Sequence, residues 1–364
     1  MDTSAPQTAR SKAPAEKEIE AILNEVAVPL EVLREARKRR DLVLSVAGTH
    51  PAAREGFSSG SVAHGTENKP LEDADCGEMI DRRHLEIRVY GPDGDGRGPS
   101  LFVESFRSFI EVGVRSTYQN AVVTANGKRS IKIEFNEMIE IDEWGEVDPY
   151  VDFIVGLSMA KGDGIWIPNL ESDSWDPGDP IRHTWLMTKR DPEELRVLRA
   201  RVLRLAKRAV KRDAAEDGRC AVMCSWNLSA LALEYFEASD DMRSLGTALR
   251  DFFAFASASI RRALTEDPSD AIPDPINLPE GVTQELASRR LAEMSDVVEE
   301  ALQALSPQAA RNALAAIFGP EIEVINERTT EGFATALRRE DSAAAAAAIG
   351  STYPQRGSSW SCQA

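Results

Sequence analysis

The chain has 364 residues, enough for one large or two ordinary domains with a buried core, and its 60 acidic against 43 basic residues give a formal net charge of −17. That field repels a long polyanion during encounter and disfavours a long nucleic acid as partner. A small Mg²⁺-carried nucleotide stays admissible, because local basic clusters and metal ions dominate at a few ångströms. Four cysteines (Cys76, Cys220, Cys224, Cys362), no leader-like pattern near the start and no apolar run approaching the ~18 residues of a membrane span read as a reduced, cytoplasmic protein with no membrane association.

The first 14 residues are small and polar and read as disordered. Ile19, Ile22, Leu23 and Val26 then recur at helical spacing, Pro29 interrupts, and Leu30, Leu33 and Ala36 carry a second helix to about Val46. After Gly48 a connection leads into SSGSVAHGTENKPLEDAD, residues 58–75, around which the chain is organised. RRHLEIRVYGPDGDGRGP reads as a strand followed by a Gly/Asp loop. Leu101, Phe102, Phe106, Phe109, Ile110 and Val114 predict a helix over 100–117. Strands follow at 121–124, 131–135 and 151–157, the last apolar enough to be central.

From Asp191 the pattern is helical, with Asp191 as N-cap, Pro192 at the first helical position, Glu193 and Glu194 in the first turn, and a buried stripe of Leu195, Leu198, Val202 and Leu205. Two further helices are marked by Leu245, Leu249, Phe252, Ala256 and Ile260, and by Leu286, Leu291, Met294, Val298, Ala301 and Leu305. The loop EDPSDAIPDPINLPEG separates them. A last helix opens at Ser306-Pro307 and ends at Phe318-Gly319, before an alanine run and a flexible tail. No internal repeat is visible. The pattern is an α/β half to about residue 188 and an all-α half after it, wrapped by the N-terminal helices.

Chemistry concentrates in the 58–75 stretch. Gly60 and Ser61 can present backbone N–H groups and a hydroxyl to a phosphate, and Asp73 and Asp75, two apart on a strand, reach one metal centre. An Asp-x-Asp pair alone is common on solvated acidic turns. Asp152 adds weight: it interrupts the apolar run Val151–Val155, and a buried carboxylate needs a cation or hydrogen bonds. Asp148 competes for that role, but it precedes Pro149 at the start of the strand. Three carboxylates suit two Mg²⁺ ions arranged for in-line phosphoryl displacement.

Arg196, Arg199, Arg201, Arg204, Lys207, Arg208, Lys211 and Arg212 form a basic helix that, as a group, can face a triphosphate; singly, each is as well read as a solvated residue. Cys220 and Cys224 lack further zinc ligands at suitable spacing and read as buried thiols. His50, His64, His84 and His183 are scattered and without a nucleophile partner, and the glycine loop at 91–99 lacks a Walker lysine.

GSVAHGT followed by Asp73-Ala74-Asp75, with Asp152 on a later strand, resembles the signature of polymerase-β-like nucleotidyltransferases. Within that superfamily the chain is most similar to the bacterial relatives of cyclic GMP-AMP synthase and oligoadenylate synthase, the CD-NTases, which make cyclic di- or trinucleotide signals in anti-phage defence. IWIPNLESDSWDPGDPIRH, RVLRLAKRAV with CSWNLSALALE, and EDPSDAIPDP with AAIFGPEI resemble later segments of these enzymes, so the likeness covers roughly residues 16–325.

The resemblance implies an α+β fold with a nucleotidyltransferase core over 15–188 that includes the N-terminal helices. A helical domain over 189–325 and a tail over 326–364 follow, the N-terminal helices bracing both halves. It implies Asp73, Asp75 and Asp152 as catalytic metal ligands for two Mg²⁺ or Mn²⁺ ions, and Gly60, Ser61, Lys207 and Ser225 as phosphate-binding residues. It further implies nucleoside triphosphates as donor and acceptor, an effector protein that receives the product, and a regulatory protein partner. One departure stands out: where the family continues with apolar strand residues after the aspartate pair, this chain has Cys76-Gly77-Glu78. Two alternatives stay open: an enzyme acting on tRNA or another macromolecule and, motivated by this departure, a degenerate nucleotide sensor.

Overall fold

In a computed structural model, residues 14–319 are described apart from 95–96, 126, 142–144, 162–163, 218–220 and 239–242. The expectations for residues 1–13, for the tail, for Cys220 and for Cys362 lie outside the described residues.

Helix α1 (Pro14–Glu25) is followed by α2 (Leu30–Ala47), with Pro29 at the cap position of the second. Then come β1 (Ala53–Ser58), the short helix α3 (Gly60–His64), β2 (Asp73–Ile80), α4 (Leu85–Tyr90) and α5 (Ser100–Arg115). Strands β3 (Val122–Thr124), β4 (Ile131–Glu134), β5 (Ile139–Ile141), β6 (Gly145–Val147), β7 (Tyr150–Ser158), β8 (Ile165–Asn169) and β9 (Ser174–Gly178) follow. The rest is helical: α6 (Pro180–Thr188), α7 (Glu193–Asp217), α8 (Ser225–Glu237), α9 (Leu245–Arg262), α10 (Gln284–Gln303) and α11 (Pro307–Phe318). The fold is α+β, a mixed sheet with a helical C-terminal region.

The main sheet runs β1-β2-β7-β4-β3, with β8 and β9 continuing from β7. Its β2–β7 pair is parallel and the other pairs are antiparallel. Strand side chains alternate between faces. Ala74, Cys76 and Ile80 of β2 and Val151, Phe153 and Val155 of β7 therefore fill one core together with Val32, Leu33 and Ala36 of α2 and Phe102, Phe106 and Ile110 of α5. Phe106 stacks on Phe153 at a centroid distance of 5.7 Å. The opposite face of both strands carries the aspartates.

The Cys76-Gly77-Glu78 departure is absorbed within β2. Gly77 lies where a Cβ would sit 2.3 Å from Phe57 Cζ and 2.4 Å from the Ile154 carbonyl oxygen, so no side chain fits. Glu78 is 1 % exposed, yet its carboxylate accepts from the Arg54 N–H at 2.9 Å, where the β1–β2 register shifts. It thereby takes up a donor that the irregular ladder leaves without a strand partner. We expect Gly77→Ala to destabilise the protein by about 1–3 kcal/mol, read as a lowered urea midpoint with an unchanged slope.

The two N-terminal helices serve different parts of the protein. Glu18 of α1 pairs with Arg311 of α11 at 2.9 Å, and Glu16 accepts from the Gly246 N–H at 3.0 Å, tying α1 to the helical region. In contrast, α2 packs on the sheet, where its Arg39, 1 % exposed, pairs with Glu35 and Asp148 and donates to the Pro149 carbonyl. Asp148, the competing carboxylate, is thus committed to a buried guanidinium.

Several local expectations are overturned. The segment opening RRHLEIRVY, expected as a strand, forms α4 over 85–90; of the alternating Leu85, Ile87 and Val89 only Ile87 is buried and Leu85 is 72 % exposed. The alternation marks no buried face there. Trp175 Nε1 donates to the Tyr90 carbonyl at 2.7 Å and holds the end of the helix from outside. Leu101 and Leu305, placed in apolar stripes, are 64 % and 99 % exposed, the latter because α10 stops at Gln303. The strands β1, β5, β6, β8 and β9 went unrecognised, being short, polar or proline-bearing.

Candidate active site

The parallel register of β2 and β7 sets Asp75 beside Asp152 and Asp73 beside Tyr150. One carboxylate oxygen from each of Asp73, Asp75 and Asp152 lies within 4.8 Å of the others. Among the described residues no other trio of His, Cys, Asp or Glu side chains converges in this way. Ser130, just before β4, donates Oγ–H to Asp152 Oδ1 at 3.1 Å and fixes its orientation.

Burial pushes the Asp75 carboxyl up to about 7, and the charges of Asp73 and Asp152 add to it. Burial also raises Asp73, with Glu72 adding, and raises Asp152 against the opposing Ser130 hydrogen bond. Three half-buried carboxylates repelling one another are an arrangement that a hard, oxygen-preferring divalent cation relieves. An all-oxygen donor set fits Mg²⁺ or Mn²⁺ better than zinc.

The Gly-Ser element sits directly on this cluster. The Ser59 N–H donates to the Asp75 carbonyl at 3.1 Å, and the chain then turns through Gly60 at φ +71° into α3. A Cβ on Gly60 would fall 1.6 Å from Asp75 Oδ2, so only glycine permits the approach.

A cavity of about 600 Å³ opens over the carboxylates, within the range of small-molecule sites. Asp73 and Asp75 line it from the sheet, Gly60, Ser61 and His64 from α3, and Lys207, Lys211, Ser225 and Trp226 from α7 and α8. The predicted site residues on both halves of the chain thus face one space, with Asp152 joined to it through the cluster. Lys207 Nζ donates to Thr66 Oγ1 at 3.0 Å, and burial lowers its pKa to about 8 while Glu67, Asp73 and Asp75 hold it up.

Structure comparison finds the same architecture in CdnG of Bradyrhizobium diazoefficiens, a CD-NTase in complex with GTP. It is 17 % identical at a TM-score of 0.62, over 85 % of this chain and 96 % of that one. CdnC of Escherichia coli MS115-1, in a CdnC:HORMA-deltaN complex, is 17 % identical at a TM-score of 0.61, over 85 % and 98 % of the two chains. The cyclic AMP-GMP synthase DncV of Vibrio cholerae, in complex with nonhydrolyzable GTP, is 16 % identical at 0.53, over 86 % and 87 %. This chain has the CD-NTase fold. No protein-family model and no curated protein matches it at the level of sequence.

Within the CD-NTase fold the basic helix α7 divides its labour, contrary to the expectation of one phosphate-facing surface. Of the expected basic set, only Lys207 and Lys211 line the cavity among the described residues. Arg196 bonds the carbonyls of Thr188 and Asp191, Arg201 pairs with Glu20, and Arg204 Nε contacts Asn68 Oδ1 at 3.4 Å. Arg199, fully buried, pairs with Asp191 and donates to the Met187 carbonyl. The Asp191 carboxylate, expected as an N-cap, is therefore drawn to Arg199 and Arg190, since a buried unpaired guanidinium costs far more than an uncapped turn.

Cys224, expected buried, is exposed at the cap position of α8, next to the cavity residue Ser225. The cavity is also lined by residues without an expected site role: His64, Thr66, His183, Trp226 and Asp267. Thr66 lies within GSVAHGT and Trp226 within CSWNLSALALE, and that position was the available signal. His64 lies within GSVAHGT and His183 ends IWIPNLESDSWDPGDPIRH, but their contact spans distant segments and no local pattern announces it. Asp267, in the loop before α10, accepts from Ser269 and from the N–H groups of Ala271 and Ile272 at 3.1 Å, and so shapes the wall that bears Ser269 and Ile272.

Proposed function

We propose that this protein is a nucleotidyltransferase that joins nucleoside triphosphates into a cyclic di- or trinucleotide and releases pyrophosphate. The observation that carries this reading is the convergence of Asp73, Asp75 and Asp152 beneath a cavity whose far wall bears Lys207 and Ser225. Asp73, Asp75 and Asp152 would hold two Mg²⁺ ions, and the chemistry such ions would supply there is charge neutralisation at the attacked phosphate and at the leaving oxygen. Ser61, Lys207 and Ser225 bind the phosphate tail, so the donor is held by both halves of the protein. Asp152, kept in position by Ser130, accepts the proton of the attacking hydroxyl. The work is positioning and electrostatic stabilisation, as phosphoryl transfer demands.

The relatives' complexes with GTP support triphosphate substrates, and the synthesis of cyclic AMP-GMP by DncV supports a cyclic product. The HORMA complex of CdnC supports a regulatory protein partner here. The product then acts on a separate effector in anti-phage signalling, the role that the resemblance implies. No described helix is long and apolar enough to cross a membrane. A cavity of about 600 Å³ and a net charge of −17 favour small nucleotides over tRNA. The departure that motivated a degenerate sensor lies within β2 and displaces neither aspartate.

Incubation with all four nucleoside triphosphates and Mg²⁺ or Mn²⁺ yields a phosphatase-resistant cyclic oligonucleotide identifiable by mass spectrometry. EDTA abolishes it. Absence of such a product under every metal and nucleotide combination, with purified partner proteins of the same host added, sinks the synthase reading.

A further inference from the structure

His183 and His64 meet on the cavity wall with ring centroids 5.1 Å apart and planes at 89°. His64 ends α3, three positions after Ser61, and its Nε2 is engaged with Thr184 Oγ1 at 3.0 Å. His183 lies in the first turn of α6, which Asp179 caps by accepting the Arg182 N–H at 2.7 Å. Its own Nε2 is buried and has no hydrogen-bond partner among the described residues. His183 lines the cavity, and a buried polar nitrogen left without a partner on such a residue is an unfilled binding valence.

Burial takes the His183 imidazole down to about 4; the positive charges of Lys207 and Arg199 push the same way against Asp267. His64 is likewise held well below its ordinary value by burial. Both rings are neutral at physiological pH, so His183 can donate one N–H without adding a charge to a cavity that already holds Lys207 and Lys211. The histidine contact anchors α6 to α3, the helix that bears Ser61, and His183 and Ser61 line the same cavity. The chemistry that suits the unpartnered nitrogen is an anionic oxygen, since a hydrogen bond to a charged acceptor is the stronger kind.

We infer that His183 is a substrate-binding residue whose Nε2–H binds a phosphate oxygen of the nucleoside triphosphate. The inference rests on the triphosphate reading above and adds to it a neutral donor contributed by α6.

The test compares His183→Phe, which keeps a ring against His64 but lacks the nitrogen, with His183→Gln, which returns an amide N–H near the same place. Inorganic tripolyphosphate, a nonhydrolysable ATP analogue and adenosine are titrated calorimetrically in Mg²⁺. His183→Phe weakens tripolyphosphate and the analogue about tenfold and leaves adenosine within about twofold, and His183→Gln recovers most of the loss. In the wild-type protein the ¹⁵N resonance of His183 Nε2 moves on addition of tripolyphosphate and not of adenosine, an arm that does not depend on a variant folding. Undiminished tripolyphosphate binding by His183→Phe, equal weakening of adenosine, or a stationary Nε2 resonance in a protein that binds tripolyphosphate overturns the assignment and leaves the nucleotide reading intact. A wild-type protein that binds neither tripolyphosphate nor the analogue removes both.

Discussion

Asp75→Asn is expected to lower product formation by on the order of 10³-fold, the equivalent of about 4 kcal/mol of transition-state stabilisation, while making the metal-free protein more stable. The two effects have one cause. Burial and the charges of Asp73 and Asp152 raise the folded-state pKa of Asp75 to about 7 from its ordinary 3.8. A carboxyl raised on folding binds its proton more tightly in the native state. Its ionisation therefore costs nothing below about pH 4, costs progressively more as pH rises from 4 to 7, and costs a constant amount above that.

In EDTA at pH 8 the Asn variant should accordingly gain about 1–3 kcal/mol, and the gain should vanish near pH 4. Thermal melts across pH check the first part. Adding Mg²⁺ checks the second: the wild-type midpoint rises, because a ligand that binds only the native state stabilises it, and the variant's stays nearly still. A variant that loses stability at pH 8 would mean that Asp75 is held by hydrogen bonds rather than strained by repulsion.

Gly60→Ala should lose activity and stability together. The residue sits at φ +71°, where a side chain costs about 1–2 kcal/mol, and its Cβ would fall 1.6 Å from Asp75 Oδ2. Asp75 must swing away or α3 must shift, and displacement of a reacting group by about 1 Å is enough for a loss on the order of 10²-fold. The signature is a lowered kcat with a melting point below wild type, opposite in sign to that of Asp75→Asn. An alanine variant with full activity would show that α3 does not seat against β2 during turnover.

The helices were largely legible in the chain because a 3.6-residue apolar period and local capping chemistry suffice to mark them: Ser306-Pro307 opens α11, and Phe318-Gly319 closes it. The meeting of Asp73, Asp75 and Asp152 was legible for a similar reason. A period of two puts Asp73 and Asp75 on one face, and a polar residue inside the apolar run 151–157 must turn to that face when its neighbours turn to the core.

Only the tertiary structure decided the rest. Residues 85–90 alternate like a strand but have no sheet neighbour to pair with, and form α4. Arg196, Arg199, Lys207 and Lys211 are equivalent as a basic run, and the direction each takes around α7 sends two to structural carbonyls and carboxylates and two to the cavity. The edge-on contact of His64 with His183 joins residues more than a hundred positions apart through the packing of α3 on α6. Such a contact has no local period, cap or spacing to announce it. Local chemistry specified the elements and the carboxylate face, and long-range packing specified which of the remaining polar groups look into the cavity.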